Sequence, residues 1–238
     1  MIDEIVVEMM TQDFILWRCL HGGPLSSDTI DRWASGTNMP WARYSARNKA
    51  LLIKLTQIYG ACAVVARRED GTVGHLRFYP KSVSKMEKAG HLCLQQDFPS
   101  GPTDDFFETD FPPREELEDQ TLKVHCLMTG SPSEKSNPYQ RKGIGTRMVQ
   151  RLIEWAIEEG WKRIEADAFE DLPIIYQVTG NAGRTFWNKL GFHVADRFPH
   201  PHLREYGEFV ATLDEQATHA GIDKDKAKDC IIMRLDLS

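Results

Sequence analysis

The residues with the clearest chemical potential are Gln140-Arg141-Lys142-Gly143-Ile144-Gly145-Thr146, which lie between a strand pattern and a helix pattern. Two glycines at a spacing of two let the backbone approach a ligand closely. The first N–H groups of the following helix have no internal partners, so such a turn can hold a phosphate or pyrophosphate. Gln140, Arg141 and Lys142 surround this mouth with donors and positive charge. The same spacing also serves as a plain tight turn into a helix. The segment is not a P-loop, since no Gly-Lys-Ser/Thr follows, and not a dinucleotide fingerprint, since Met148 occupies the third-glycine position.

The elements that must position this turn follow from periodicity. Leu122, Val124, Cys126 and Met128 alternate with Lys123, His125 and Leu127, predicting a strand over 121–128. Ile144, Met148, Leu152, Trp155 and Val149, Ile153, Ile157 form two adjacent rows of one helix over 144–159 that ends at Gly160. Strands are expected at 4–8, 161–169, 193–198 and 230–237. A hairpin pairs 61–67 with 73–79 across Asp70-Gly71, the strongest short-range hairpin signal. Helices are expected over 13–20, over 46–59 with Ser45 as N-cap and Gly60 as stop, over 182–189 and over 203–220. Residues 80–120, rich in Pro, Asp, Ser and Gly, predict a long loop insertion with a short helix after Pro113. Helices, a hairpin, then alternating strands and helices argue for an α+β or α/β sheet with helices on its faces, in a single domain over 1–238.

Composition narrows the class. The chain has 238 residues, 41% of them hydrophobic and 27% charged, enough for a large buried core without metal or disulfide staples. The longest apolar runs fall far short of the roughly 20 residues needed to cross a bilayer, and the acidic start Met1-Ile2-Asp3-Glu4-Ile5 lacks the features of an export signal. A cytoplasmic protein is expected. The five cysteines are widely spaced without a C-x-x-C, which fits reduced thiols. His91-x-Cys93 and His200-x-His202 have no visible company, so no metal is expected. Net charge is −6, and residues 95–120 carry nine acids against the single base Arg114. A clustered basic face for nucleic acid is missing from the pattern. The acidic loop is either a solvated segment or an attractor for a cationic acceptor.

Gln140-x-x-Gly143-x-Gly145 resembles the [QR]-x-x-G-x-[GA] signature of the GNAT superfamily of N-acetyltransferases. Downstream, Asn181-Ala182-Gly183-Arg184-Thr185-Phe186-Trp187-Asn188-Lys189-Leu190-Gly191-Phe192 is similar to the family's later helix with its Leu-Gly-Phe ending. These motifs cover about 121–198, and the hairpin at 61–79 fits the family's second and third strands. The resemblance implies an α+β, α/β sandwich-like fold: a mixed, mostly antiparallel sheet that splays after the strand 121–128, with flanking helices. It further implies acetyl-CoA as cofactor, its pyrophosphate on Gln140, Arg141, Lys142, Gly143, Ile144, Gly145 and Thr146, and its pantetheine arm against Leu127 and Met128 like an added strand. Asn181 and Trp187 are implied at the cofactor as well.

Departures from the family pattern matter equally. Trp187 stands where the family often has a tyrosine that protonates the leaving thiolate, and an indole N–H donates a hydrogen bond but no proton. Tyr176 and Cys126 are the other candidates for that acid. Asn181 is shifted by one position from the family's usual asparagine, and the loop 129–139 is longer than common. The splayed strand has no carboxylate, which leaves His125 as candidate base near neutral pH, with Glu165 and Asp167 alternating onto one face of the next strand as the other candidates. His21-Gly22-Gly23-Pro24 with Trp33, Trp41 and Tyr44 occupies the region that shapes acceptor specificity in relatives, and such aromatics also serve as core. The expected function is acetyl transfer from acetyl-CoA to a small primary amine by a monomer or homodimer without nucleic-acid or membrane partners. The alternative is a catalytically weak relative that binds CoA as a sensor or interaction module.

Overall fold

In a computed structural model the described residues are 5–17, 40–69, 71–84, 110–130, 137–179, 181–200, 203–205 and 207–238, without the side chains of 40–48 and 178–179. The chain divides into two units, Met1–Lys162 and Arg163–Ser238. The first contains β1 (Val6–Met9), α1 (Pro40–Tyr59), β2 (Ala63–Arg68), β3 (Gly71–Pro80), α2 (Lys81–Ser84), a 3-10 turn at Arg114–Glu116, β4 (Thr121–Thr129) and α3 (Ile144–Glu158). Its strands pair antiparallel in the order β1-β2-β3-β4. The second contains β5 (Arg163–Ala168), α4 (Pro173–Thr179), α5 (Arg184–Asn188), β6 (His193–Pro199), α6 (Gly207–His219), a 3-10 turn at Lys226–Lys228 and β7 (Asp229–Asp236), with antiparallel order β5-β7-β6. The fold is the mixed-sheet, helix-flanked α+β class that the sequence implies.

In the first unit β2 and β3 are buried along almost their whole length, as their apolar residues require once both faces are covered. Helix α3 covers one face with Ile144, Met148, Val149, Leu152, Trp155 and Ala156, of which the buried Ile, Met, Val and Leu side chains contribute roughly 1.5–3 kcal/mol each. Trp155 packs on Phe78 with ring centroids 5.3 Å apart. Gly74 sets how near this helix comes, because a Cβ there would stand 3.2 Å from Ala66 Cβ, Met128 O and Met148 Cε. On the other side of the sheet Leu16 and Trp17 are fully enclosed. In the second unit Phe169, Leu172, Ile175, Leu203, Leu213, Ala217, Ala227 and Cys230 form a separate apolar cluster.

Several expectations need correction. Residues 13–17 form a turn and irregular backbone instead of the start of a helix. Their polar groups go to tertiary partners: Leu16 N–H meets Met10 Sδ at 3.3 Å, and Leu16 O accepts from Arg77 Nη2 at 2.5 Å. Helix α1 starts at Pro40, six residues before the expected start and well before Ser45. Proline suits the first helical position because its missing N–H would be unbonded there anyway. Ile157, placed on an apolar row of α3, is 48% exposed. Helix α4 was not anticipated, and α6 begins at Gly207 instead of 203. The short helix after Pro113 is a 3-10 turn. Of the 80–120 insertion, residues 85–109 lie outside the described residues, as do 18–39 with His21, Gly22, Gly23, Pro24 and Trp33; Trp41 and Tyr44 fall in α1 without described side chains.

Candidate functional site

The turn before α3 is built on two residues in the left-handed region, Arg141 (φ +56°) and Gly143 (φ +76°). Gly143 is the N-cap and supplies no side-chain acceptor. The first helical bond runs from Arg147 N–H to Gly143 O at 3.0 Å, so the N–H groups of residues 144–146 precede the helical ladder. Among the described residues, a Cβ on Gly143 would meet nothing within 4 Å. Gln140, Arg141 and Lys142 are exposed around it, Ile144 anchors the turn in the core at 1% exposure, and Gly145 and Thr146 are half-buried. This arrangement offers partial positive charge and free donors to an anion.

Asn137 ties this turn to the end of β4. Its Nδ2 donates to Thr129 O at 2.6 Å, its Oδ1 accepts from Tyr139 N–H at 3.0 Å, and its backbone O accepts from Gln140 N–H at 3.3 Å. Gly130 is backed directly against the Asn137 amide, leaving no room for a Cβ. Tyr139 Oη accepts from Arg68 Nη1 at 3.4 Å, so the β2–β3 hairpin also reaches the turn. The sequence reading missed Asn137, although Asn137-Pro138 is a turn-initiating dipeptide.

On β4, Arg77 pairs with Cys126 and Phe78 with Val124, so His125 is the extra residue of a β-bulge. Bulges re-aim side chains and recur beside active sites. Here His125 lies against Tyr79, ring centroids 5.0 Å apart at 51°. His125, Cys126, Leu127 and Met128 are all half-buried, unlike Val124 at 5% exposure, and Cys126 is a free thiol. Behind them His75 is fully buried and neither ring nitrogen has a hydrogen-bond partner among the described residues. Burial pushes the Cys62 thiol up, against the opposing hydrogen bond of Thr56 and the charge of Arg77.

Five sequence candidates lie in the second unit. Glu165 is 1% exposed, and its Oε1 accepts from Arg234 Nε at 3.1 Å and Nη2 at 2.8 Å across the β5–β7 register. Asp167, expected on the same face, is exposed. Tyr176 on α4 is 51% exposed and Asn181 is exposed. Trp187 is 2% exposed, wedged between Phe186 at 5.1 Å and Phe192 at 5.0 Å, and its Nε1 has no hydrogen-bond partner among the described residues. Helix α5 is set by Asp171, whose Oδ2 accepts from Thr185 N–H at 3.0 Å and from its hydroxyl at 2.6 Å. Glu170, 5% exposed, binds Arg184 at 2.7 Å and Arg197 at 2.9 Å. Neither acid figured in the sequence reading. Among the described residues no group of three or more His, Cys, Asp or Glu could hold a metal ion, and no helix is long and apolar enough to cross a membrane.

Residues 135–174 match the acetyltransferase (GNAT) family. No curated protein matches the chain. Among solved structures it is similar to yncA, a putative acetyltransferase from Salmonella typhimurium with acetyl-CoA, at 14% identity and a TM-score of 0.47, covering 99% of this chain and 95% of that one. It is similar to an N-acetyltransferase from Staphylococcus aureus Mu50 at 12% identity, a TM-score of 0.46 and coverage of 98% and 99%. A GNAT acetyltransferase from Elizabethkingia anophelis with acetyl-CoA bound aligns at 13% identity, a TM-score of 0.45 and coverage of 99% of each chain. The matched stretch begins before the glycine turn and runs through α3 and β5 into α4.

Proposed function

We propose that the chain binds acetyl-CoA with the pyrophosphate on the head of α3 and transfers the acetyl group to a small primary amine, as one acyltransferase domain over 1–238. The observation that carries this reading is the uncapped helix head at Gly143, flanked by Arg141 and Lys142, within the matched segment. These residues fit a diphosphate, because none of the described residues lies within 4 Å of a Cβ on Gly143 and the backbone donors of residues 144–146 are not spent in the helix. When bound, acetyl-CoA supplies an acetyl group activated as a thioester.

This chain's residues do the rest by holding and by moving a proton. Gln140 to Thr146 hold the phosphates, and the backbone of Leu127 and Met128 offers strand-like hydrogen bonds to an extended arm. His125, half-buried on the bulge, accepts the proton of the amine. Glu165 is a poor competitor for that role, since its carboxylate is buried and its Oε1 is already taken by two hydrogen bonds from Arg234. Tyr176, exposed on α4, is the candidate acid, with Asn181 near the later helix as a cofactor contact. We place the protein in the cytoplasm as a monomer or homodimer, with no nucleic-acid or membrane partner.

One observation favours the second reading, a catalytically weak relative that binds CoA as a sensor or interaction module: Trp187 is packed as a core residue where the family often has a tyrosine. Turnover separates the two. Free CoA released from acetyl-CoA across a panel of small amines would be followed with a thiol reagent. Release with at least one amine, with kcat/KM rising through the titration of histidine and that rise lost in His125→Ala, supports transfer. Calorimetric binding of acetyl-CoA without turnover on any amine supports the module.

A further inference from the structure

We propose that the Asn137 carboxamide is a positioning residue that holds the two ends of the cofactor site at a fixed spacing, an inference that rests on acetyl-CoA lying along β4 and the glycine turn. In that reading the pantetheine arm runs beside Leu127 and Met128, and the phosphates sit on residues 140–146. The gap between these two places opens directly after Met128 and closes directly before Gln140, and Asn137 bridges it at both rims. Its Nδ2 donates to the Thr129 carbonyl at 2.6 Å, its Oδ1 accepts from Tyr139 N–H at 3.0 Å, and its own carbonyl accepts from Gln140 N–H at 3.3 Å. One side chain thus joins the last residue of β4 to the first residues of the turn.

Each end of this link is itself held. Gly130 N–H donates to Val73 O on β3 at 2.7 Å, which fixes the strand end. Gly130 has φ +65° and lies so close against Asn137 that a Cβ would overlap the carboxamide. At the other end Ile144, 1% exposed, sets the head of α3 in the core. Between them Arg141 at φ +56° and Gly143 at φ +76° keep a left-handed backbone. An L-residue such as arginine resists that conformation, which persists only where surrounding bonds over-determine it. A ligand with two linked ends gains its second contact at high effective concentration only while the two subsites match its span. Preorganisation of that span, instead of a bond to the cofactor, is what Asn137 contributes.

The test uses the intact protein and measures calorimetric affinity for three probes: acetyl-CoA, ADP for the phosphate end and S-acetylpantetheine for the arm. Asn137→Ser keeps the turn's own bond, because a serine hydroxyl accepts from the N–H two residues on, but it stops one bond short of the Thr129 carbonyl. This variant should weaken acetyl-CoA about tenfold while ADP and S-acetylpantetheine each stay within about twofold of wild type, the signature of a lost spacing between intact ends. Gly130→Ala, which pushes the carboxamide out of place, should reproduce that pattern, and the double variant should be no weaker than the weaker single one, because both changes break the same contact. A folded Asn137→Ser variant with wild-type affinity for acetyl-CoA overturns the proposal. So does an equal loss for ADP and acetyl-CoA, which would make Asn137 a support of the phosphate turn alone, and so do additive losses in the double variant. Wild type that binds acetyl-CoA but not ADP at millimolar concentration lacks two separable ends and overturns it as well. If Asn137→Ser fails to fold, Gly130→Ala decides on the same criteria. Failure of acetyl-CoA to bind the wild-type protein overturns the cofactor reading and this inference together, while the other failures leave that reading standing.

Discussion

Replacing Gly143 with alanine should separate the folding role of this residue from its binding role. Gly143 has φ +76°, where an L-residue costs about 1–2 kcal/mol. Among the described residues no atom lies within 4 Å of the added Cβ, so none of them adds a clash to that strain. For a chain of 238 residues each kcal/mol is worth about 2–4 °C in Tm, and the variant should melt about 2–8 °C lower while remaining folded. The Cβ does stand before the head of α3. If a diphosphate must approach that backbone closely, acetyl-CoA affinity should fall tenfold or more, about 1.4 kcal/mol, in calorimetry. Gly221→Ala is the matched control: its φ is +68°, its Cβ also meets none of the described residues within 4 Å, and it follows α6 in the other unit. It should lose the same stability and none of the affinity. A folded Gly143→Ala variant that binds acetyl-CoA as tightly as wild type would remove the helix head from the cofactor site.

Glu165→Gln should cost about 1.5–3 kcal/mol through the lost charge-assisted bonds to Arg234, a fall of about 3–12 °C in Tm, and the rise of kcat/KM with pH should persist; loss of that rise in a folded variant would transfer the base role to Glu165. Burial pushes the Tyr59 phenol up to about 12, and its hydroxyl donates to Pro112 O at 2.8 Å. Because the folded value is raised, its contribution is complete below the ordinary value near 10 and is lost as pH rises through about 12. An ultraviolet titration of the folded protein should show a late phenol that disappears in Tyr59→Phe, and simultaneous titration of all the tyrosines near the ordinary value would contradict the burial argument.

Much of the scaffold around the glycine turn was legible because its signals are local. The two helical rows of α3, ending at Gly160, follow from a 3.6 period, and β2 and β3 from apolar runs on both sides of Asp70-Gly71, although Asp70 itself lies outside the described residues. What escaped depends on partners far along the chain. Helix α4 starts at Pro173 and, among its described side chains, buries only Ile175, too little periodicity to read. Its second residue, Ile174, donates its N–H to Gln216 Oε1 at 3.0 Å, a cap supplied by α6. The expected helix from residue 13 fails because Arg77 takes the Leu16 carbonyl. At the site, Glu165 and Asp167 read as one alternating face, but Arg234 on β7 turns the first into a buried ion pair. The bulge at His125 is likewise a matter of register between two strands and leaves no mark in β4 alone.

The Asn137 clasp decides what sets the position of the glycine turn. With its amide bonded to Thr129 O and its side-chain oxygen to Tyr139 N–H, a single side chain refers the start of that turn to the end of β4. The head of α3 therefore takes its place from the edge of a hydrogen-bonded strand, so that a change of one amide, such as Asn137→Ala, would cut the turn loose from the sheet while leaving both elements themselves intact.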